Sequence, residues 1–247
     1  MTTIEHLRNA PIVEALVDIR VKLPPDVDVI KLESIGGLIS NQYPKKKKRI
    51  RFEGKFDVKV GELPRHNDTP VWVDGHIYST EDERYMVQTR LDGFTFSRLS
   101  PYETWENLRD EAYKLWEHYV RITSPEIITR VALRYINRLE FPFPMGDFNE
   151  YLTSSPIIPE GLPQKISSFL VRVVVPEESI KSFAIITQSF KSVERDKVPV
   201  ILDIDVFKQM RFEVDKKEAW DFLEKLHEFK NKVFFKSITE KTKELYK

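Results

Sequence analysis

The chain contains no cysteine. That absence removes disulfide frameworks, thiolate metal sites and a cysteine nucleophile in one step. Net charge is missing as well: 39 Lys and Arg balance 39 Asp and Glu across 247 residues, so no overall field draws the protein to nucleic acid or to an anionic membrane. Glycine is scarce at 8 residues and builds neither a P-loop nor a dinucleotide fingerprint; a GxSxG elbow and an HExxH pair are absent too. No run approaches the roughly 18 apolar residues of a membrane span, and Met1 to Arg8 lacks the apolar core of a secretion signal. A cytoplasmic protein with no membrane partner is expected. His6, His66, His76, His118 and His227 have no metal-ligand spacing, so neither a metal nor a cofactor is expected, and His118 and His227 fall on the polar sides of two helical stripes.

What is present is material for a core. Hydrophobic residues make up 41% of the chain, with 16 Phe, 9 Tyr and 4 Trp, and a chain of this length buries roughly 70% or more of its unfolded surface. Arg130 to Pro142, near the midpoint, has the period of an extended chain: Val131, Leu133, Tyr135, Leu139 and Phe141 share one face, and Arg130, Arg134, Arg138 and Glu140 share the other. A strand with one buried side follows. Val13 to Leu23 alternates in the same way until Pro24-Pro25 stops it. Val29 to Ile39 has near-helical spacing weakened by Gly36-Gly37. Lys45 to Arg49 reads as a basic loop, followed by a strand over Arg51 to Val60, a polar turn over Gly61 to Pro70, and a strand over Val71 to Tyr78. Arg84 to Leu99 is one long strand or a hairpin about Asp92-Gly93. Thr104 then opens a helix whose Trp105, Leu108, Ala112, Leu115, Trp116 and Tyr119 form one apolar stripe.

The second half repeats this order. Asp147 to Leu152 reads as a short helix, Phe169 to Val175, Phe183 to Thr187 and Val198 to Phe207 as strands, and Lys217 to Ile238 as a long helix with Trp220, Leu223, Leu226, Phe229 and Val233 inward. Trp105 and Trp220, like Leu108 and Leu223, are 115 residues apart, and Leu16 and Leu133 are 117 apart. The fold class that follows is α+β: two pseudo-repeated β-α-β-β-β-α halves, residues 1–126 and 127–247, sharing one core. Their strands would form a curved, mainly antiparallel sheet of about seven or eight strands with the two long helices packed on one face. The plainer alternative is that many α+β chains give such an order without duplication.

Candidate functional groups collect on the polar face of that sheet. Asp203 and Asp205 project to one side of their strand, roughly 7 Å apart; Arg134, Arg138 and Glu140 share the outer side of theirs, and Gln88 and Arg90 stand at the 115-residue offset from the two aspartates. One reading pairs the aspartates with Arg134 and Arg138 across neighbouring strands. Another makes Arg90, Arg134, Arg138, Glu140, Asp203 and Asp205 a ligand groove, since guanidinium suits planar anions. A third makes Asp203 and Asp205 the metal ligands of an enzyme acting on a nucleotide or phosphorylated substrate. Lys45, Lys46, Lys47, Lys48 and Arg49 form a possible phosphate or nucleic-acid patch, with Tyr43, Phe52 and Trp72 near enough to stack bases. A solvated loop is the plainer reading of that run.

Asn9-Ala10-Pro11-Ile12-Val13-Glu14-Ala15-Leu16, Arg134-Tyr135-Ile136-Asn137-Arg138, Leu202-Asp203-Ile204-Asp205 and Phe234-Phe235-Lys236-Ser237-Ile238-Thr239 together resemble a sporadically distributed bacterial and archaeal family of uncharacterised proteins of similar length. The likeness runs from Leu7 to Leu245 and implies no activity. Its scattered distribution implies an accessory system such as defence or toxin neutralisation. The function expected is that of a non-enzymatic binding protein holding a protein partner or an anionic ligand, with a homodimer possible through an uncovered sheet edge.

Overall fold

A computed structural model describes residues 7–52, 71–215 and 217–247. Residues 53–60 of the strand expected over Arg51 to Val60, the turn over Gly61 to Pro70, and His6 and His66 lie outside them. In chain order the elements are β1 (Ile12–Lys22), α1 (Val29–Ile39), β2 (Lys45–Phe52), β3 (Val71–Ser79), β4 (Tyr85–Arg90), β5 (Gly93–Leu99) and α2 (Trp105–Thr123). The second half follows with β6 (Ile127–Pro142), β7 (Phe169–Glu177), β8 (Ser182–Phe190), β9 (Lys197–Phe212), α3 (Glu218–Ser237) and α4 (Glu240–Glu244). The strands form a single antiparallel sheet in the order β2-β3-β4-β5-β1-β6-β9-β8-β7. Pairing of β1 with β6 joins the two halves in one sheet.

Among the described residues the sheet has nine strands where the pattern predicts seven or eight. Arg84 to Leu99 resolves into the hairpin β4–β5, and the basic run is not a loop but the start of β2, paired with β3 from Lys45↔Ser79 onward. An edge strand tolerates this composition because long lysine stems lie along the sheet while their charge discourages pairing with another chain. The halves do not match strand for strand. Among the described residues four strands follow α1, whereas β6 is followed by a 3-10 turn at Phe148–Glu150, in place of the expected short helix, and then by three strands.

The face that β6 buries is as its alternation requires: Val131, Leu133, Tyr135, Leu139 and Phe141 are fully enclosed. Register sets Val17 beside Leu133 and Phe96, and Leu133 beside Val206, so one apolar layer crosses β5, β1, β6 and β9. Helix α2 covers its first half, with Trp116 and Tyr119 against Phe94 at ring-centroid distances of 5.8 and 6.0 Å. Thr104 caps α2 by accepting from the Asn107 amide, and Ser124 ends it in the left-handed region at φ 44°. Helix α3 covers β6 and β9 with Leu223 and Leu226. The helices also meet: Trp105 stacks on His227 at 4.8 Å, and Trp220 meets Tyr113 edge-on at 4.9 Å. Gly36, a weak helix former, has a packing reason, because a Cβ there would lie 2.6 Å from the Tyr78 ring. Helices α1, α2 and α3 all lie on this face, which leaves the other face of the sheet open among the described residues.

Candidate functional site

Alternate residues of β1, β4, β6 and β9 point to the open face, and there they build a ladder of charges. Asp18 sits between Thr95 on β5 and Ala132 on β6. The small side chain of Ala132 leaves space above it. Arg130 fills that space, with its guanidinium 4.6 Å from the centroid of the Phe207 ring, and donates to Asp18 at 3.0 Å and to both oxygens of Asp205 at 3.1 and 3.0 Å. From the other side Arg90 crosses β5 to donate to Asp18 at 2.8 Å and to Asp92 at 2.9 Å, and also bonds the Thr95 hydroxyl. Gly93 makes room for this crossing: a Cβ there would stand 2.2 Å from the Ile19 carbonyl and 3.0 Å from the Arg90 guanidinium. Arg134 closes a two-pronged pair with Asp203 at 2.8 and 2.6 Å.

These side chains bound a cleft of about 490 Å³ whose charged lining is Arg20, Arg90, Arg130 and Arg134 against Asp18 and Asp205. The two aspartates share one guanidinium yet titrate in opposite directions. Burial works against the charge of Asp18, but Arg90, the Thr95 hydroxyl and Arg130 together outweigh it and hold its carboxyl below the ordinary value. For Asp205 burial dominates; Arg130 and Arg134 only partly offset it, and the neighbouring Asp18 and Asp203 charges add to it, so its carboxyl is raised. Arg90 stays firmly charged, because Asp18 and Asp92 overcome the effect of its burial.

Of the residues predicted from sequence, Arg90, Arg134 and Asp205 line this cleft and Asp203 is bonded to its edge, whereas Arg138 and Glu140 stand apart. The expected pairing of the aspartates with Arg134 and Arg138 is half right. Arg134 takes Asp203, but Asp205 belongs to Arg130, and Arg138 turns to Glu140 and Glu194 at 3.1 and 2.7 Å. The arginine side chain explains the shift: Asp205 lies directly opposite Arg134, and each guanidinium reaches past its opposite neighbour along the ladder. Both carboxylates engage guanidinium through both oxygens, so a divalent cation would have to displace an arginine from each. No cluster of three metal-ligating side chains occurs among the described residues. Gln88 and Arg90 are on β4, two strands from β1, while Asp203 and Asp205 are on β9, next to β6. The 115-residue offset therefore does not carry one pair onto the other.

The basic run is largely neutralised. Lys45 and Lys47 lie near Glu83, Lys46 bonds Glu33, and Arg49 bonds Asp74 and Gln88; Lys48 alone makes no ion pair among the described residues. Tyr43 is buried with its hydroxyl on Glu111, whereas Trp72 is exposed. His227 is not on a polar helix face but packed against Trp105. Asp18, Arg20 and Arg130 are the site residues that sequence reasoning missed. Their outward phase on β1 and β6 was the available signal, but their meeting depends on a strand pairing between residues more than a hundred apart. Comparison with protein-family models, with curated proteins and with solved structures finds no match.

Proposed function

We propose that the chain is a binding protein whose open sheet face receives an anionic group, carried by a small ligand or presented by a partner protein, in the arginine-lined cleft. One observation carries this reading: four arginines converge on the cleft, and their aspartate partners, Asp18, Asp92, Asp203 and Asp205, leave part of their donor capacity unused. Arg134 uses Nε and Nη2 on Asp203, leaving Nη1 without a protein acceptor among the described residues, and the Arg20 side chain, which gives Nη1 to Asp92 at 3.2 Å, is half exposed. Aspartates that hold the guanidinium planes in place make the site pre-organised, so an incoming carboxylate or phosphate meets donors already aimed. Because the cleft is open to water, binding weakens as salt rises.

The test is a thermal-shift and calorimetric titration with pyrophosphate and with Mg²⁺ and Mn²⁺, on wild type, Arg20→Gln with Arg134→Gln, and Asp203→Asn with Asp205→Asn. Pyrophosphate should stabilise the wild type, and the arginine variant should bind at least about tenfold more weakly. Stabilisation by Mg²⁺ or Mn²⁺ that disappears in the aspartate variant would replace this reading with a metal-dependent one. We further infer that the two halves descend from one copied unit. Support comes from Trp105 and Trp220, each in the first turn of its helix and each packed against the other helix. A cytoplasmic place in an accessory or defence system is the setting that the four-motif resemblance supports.

A further inference from the structure

The apolar stripe of α3 contains a cation. Lys230 falls four residues after Leu226 and three before Val233, in phase with both, and only 7% of it is exposed. Its amine donates to Asn231 at 2.6 Å and sits 3.9 Å from the centroid of the Tyr135 ring. An ammonium has three donors, and no carboxylate among the described residues pairs with this one. Burial brings its pKa down to about 7. A charge placed there without a counter-charge is costly, and a ligand that brings the missing negative charge offsets that cost.

There is space for such a ligand. A cavity of about 290 Å³ opens beside Lys230, between the segment leading into β1, the first turn of α2 and the later turns of α3. At roughly 30 Å³ for each water displaced, it holds a ligand of about ten non-hydrogen atoms. Trp105, Phe234, Phe235 and Ile12 give it apolar walls, and Tyr102 and Asn137 add polar groups. The hydroxyls of Tyr102 and Tyr135 are 3.1 Å apart, and burial keeps both protonated, Tyr102 up to about 12; when Tyr135 donates to Tyr102, the Tyr102 proton is available to an acceptor in the cavity. His227 is not a second cation: burial, with Lys230 and Arg109 nearby, lowers it to about 3. Glu103 and Glu106 on the rim oppose a doubly charged anion.

We propose that this pocket binds a small monocarboxylate with an apolar or aromatic body, its carboxylate paired with the Lys230 amine and accepting from the Tyr102 hydroxyl. The pocket lies on the helix-covered side of the sheet, away from the arginine cleft, and is independent of it. Binding draws a proton to Lys230 above neutral pH, so affinity falls between about pH 7 and pH 9. Over that range Tyr102, Tyr135 and His227 hold one protonation state; Arg8, Glu103 and Glu106 are the other charged groups lining the pocket.

The experiment is calorimetry on the full chain with 3-phenylpropionate, using 3-phenylpropanol as its uncharged counterpart. Wild type, Lys230→Met, Lys230→Gln and Arg134→Gln are compared, with a thermal melt to verify that each is folded. The acid should bind wild type and Arg134→Gln equally, at least about tenfold more tightly than either Lys230 variant binds it, and more tightly than the alcohol binds wild type. Absence of binding to wild type overturns the proposal, as does equal affinity in either folded Lys230 variant. Loss of binding in Arg134→Gln overturns it too, by placing the acid in the sheet cleft instead.

Discussion

On the open face of the sheet, Arg90, Asp18, Arg130 and Asp205 alternate in sign across β4, β1, β6 and β9, with neighbours linked at 3.0 Å or less. On the covered face, Lys230 is buried over Tyr135 with no carboxylate beside it among the described residues. A charge matched within the fold holds strands in register and keeps its donors oriented, and an anion entering there competes with aspartates already in place. An unmatched charge contributes nothing to the fold that a methionine would not do better, and an anion entering there displaces no other.

Removing a matched charge should have the largest effect. Asp18→Asn leaves the buried Arg90 without its main counter-charge, and urea unfolding should show a loss of about 3–5 kcal/mol. The Asp18 carboxyl is held below its ordinary value, so its contribution is fully present above the ordinary carboxylate pKa and is lost as pH falls through the folded one. Removing the unmatched charge should do the reverse. Lys230→Met is expected to gain about 2–4 kcal/mol at neutral pH. The cost of burying the lysine is full below about pH 7 and gone above the ordinary 10.5, so wild type should draw level with the variant across that window.

Asp205→Asn sharpens the contrast within the open face. Its carboxyl is raised by burial, so its charge weighs against folding at neutral pH, and Arg130 keeps Asp18 when it is gone. A change within about 1 kcal/mol is expected, far smaller than for Asp18. Wild-type stability should fall relative to this variant as pH rises from the ordinary carboxylate value through the raised one. Arg138→Gln, at a solvent-facing pair, should change stability by no more than about 0.5 kcal/mol.

Much of this architecture is legible without coordinates. The period of two in β6 foretells which of its residues are buried, and the stripe of α2 foretells its packing face, because local geometry alone sets both. Lys45 to Arg49 hides a strand, since five cations mask any alternation and only pairing with β3 reveals it. The partners of Asp205 and Asp18 follow from a non-local register and from the length of an arginine side chain, neither of which is written in one sequence. Lys230 escapes for another reason: charge suggests an outward residue, and phase on the α3 stripe, the better guide, points inward.

The most direct test observes both sites in one sample. In ¹⁵N-labelled protein, pyrophosphate should shift the Nε–H signals of Arg20 and Arg134 and leave the Lys230 amine unmoved, while 3-phenylpropionate should shift Lys230 and leave the arginines. Arginine signals indifferent to pyrophosphate, or one set of residues responding to both anions, would contradict the account.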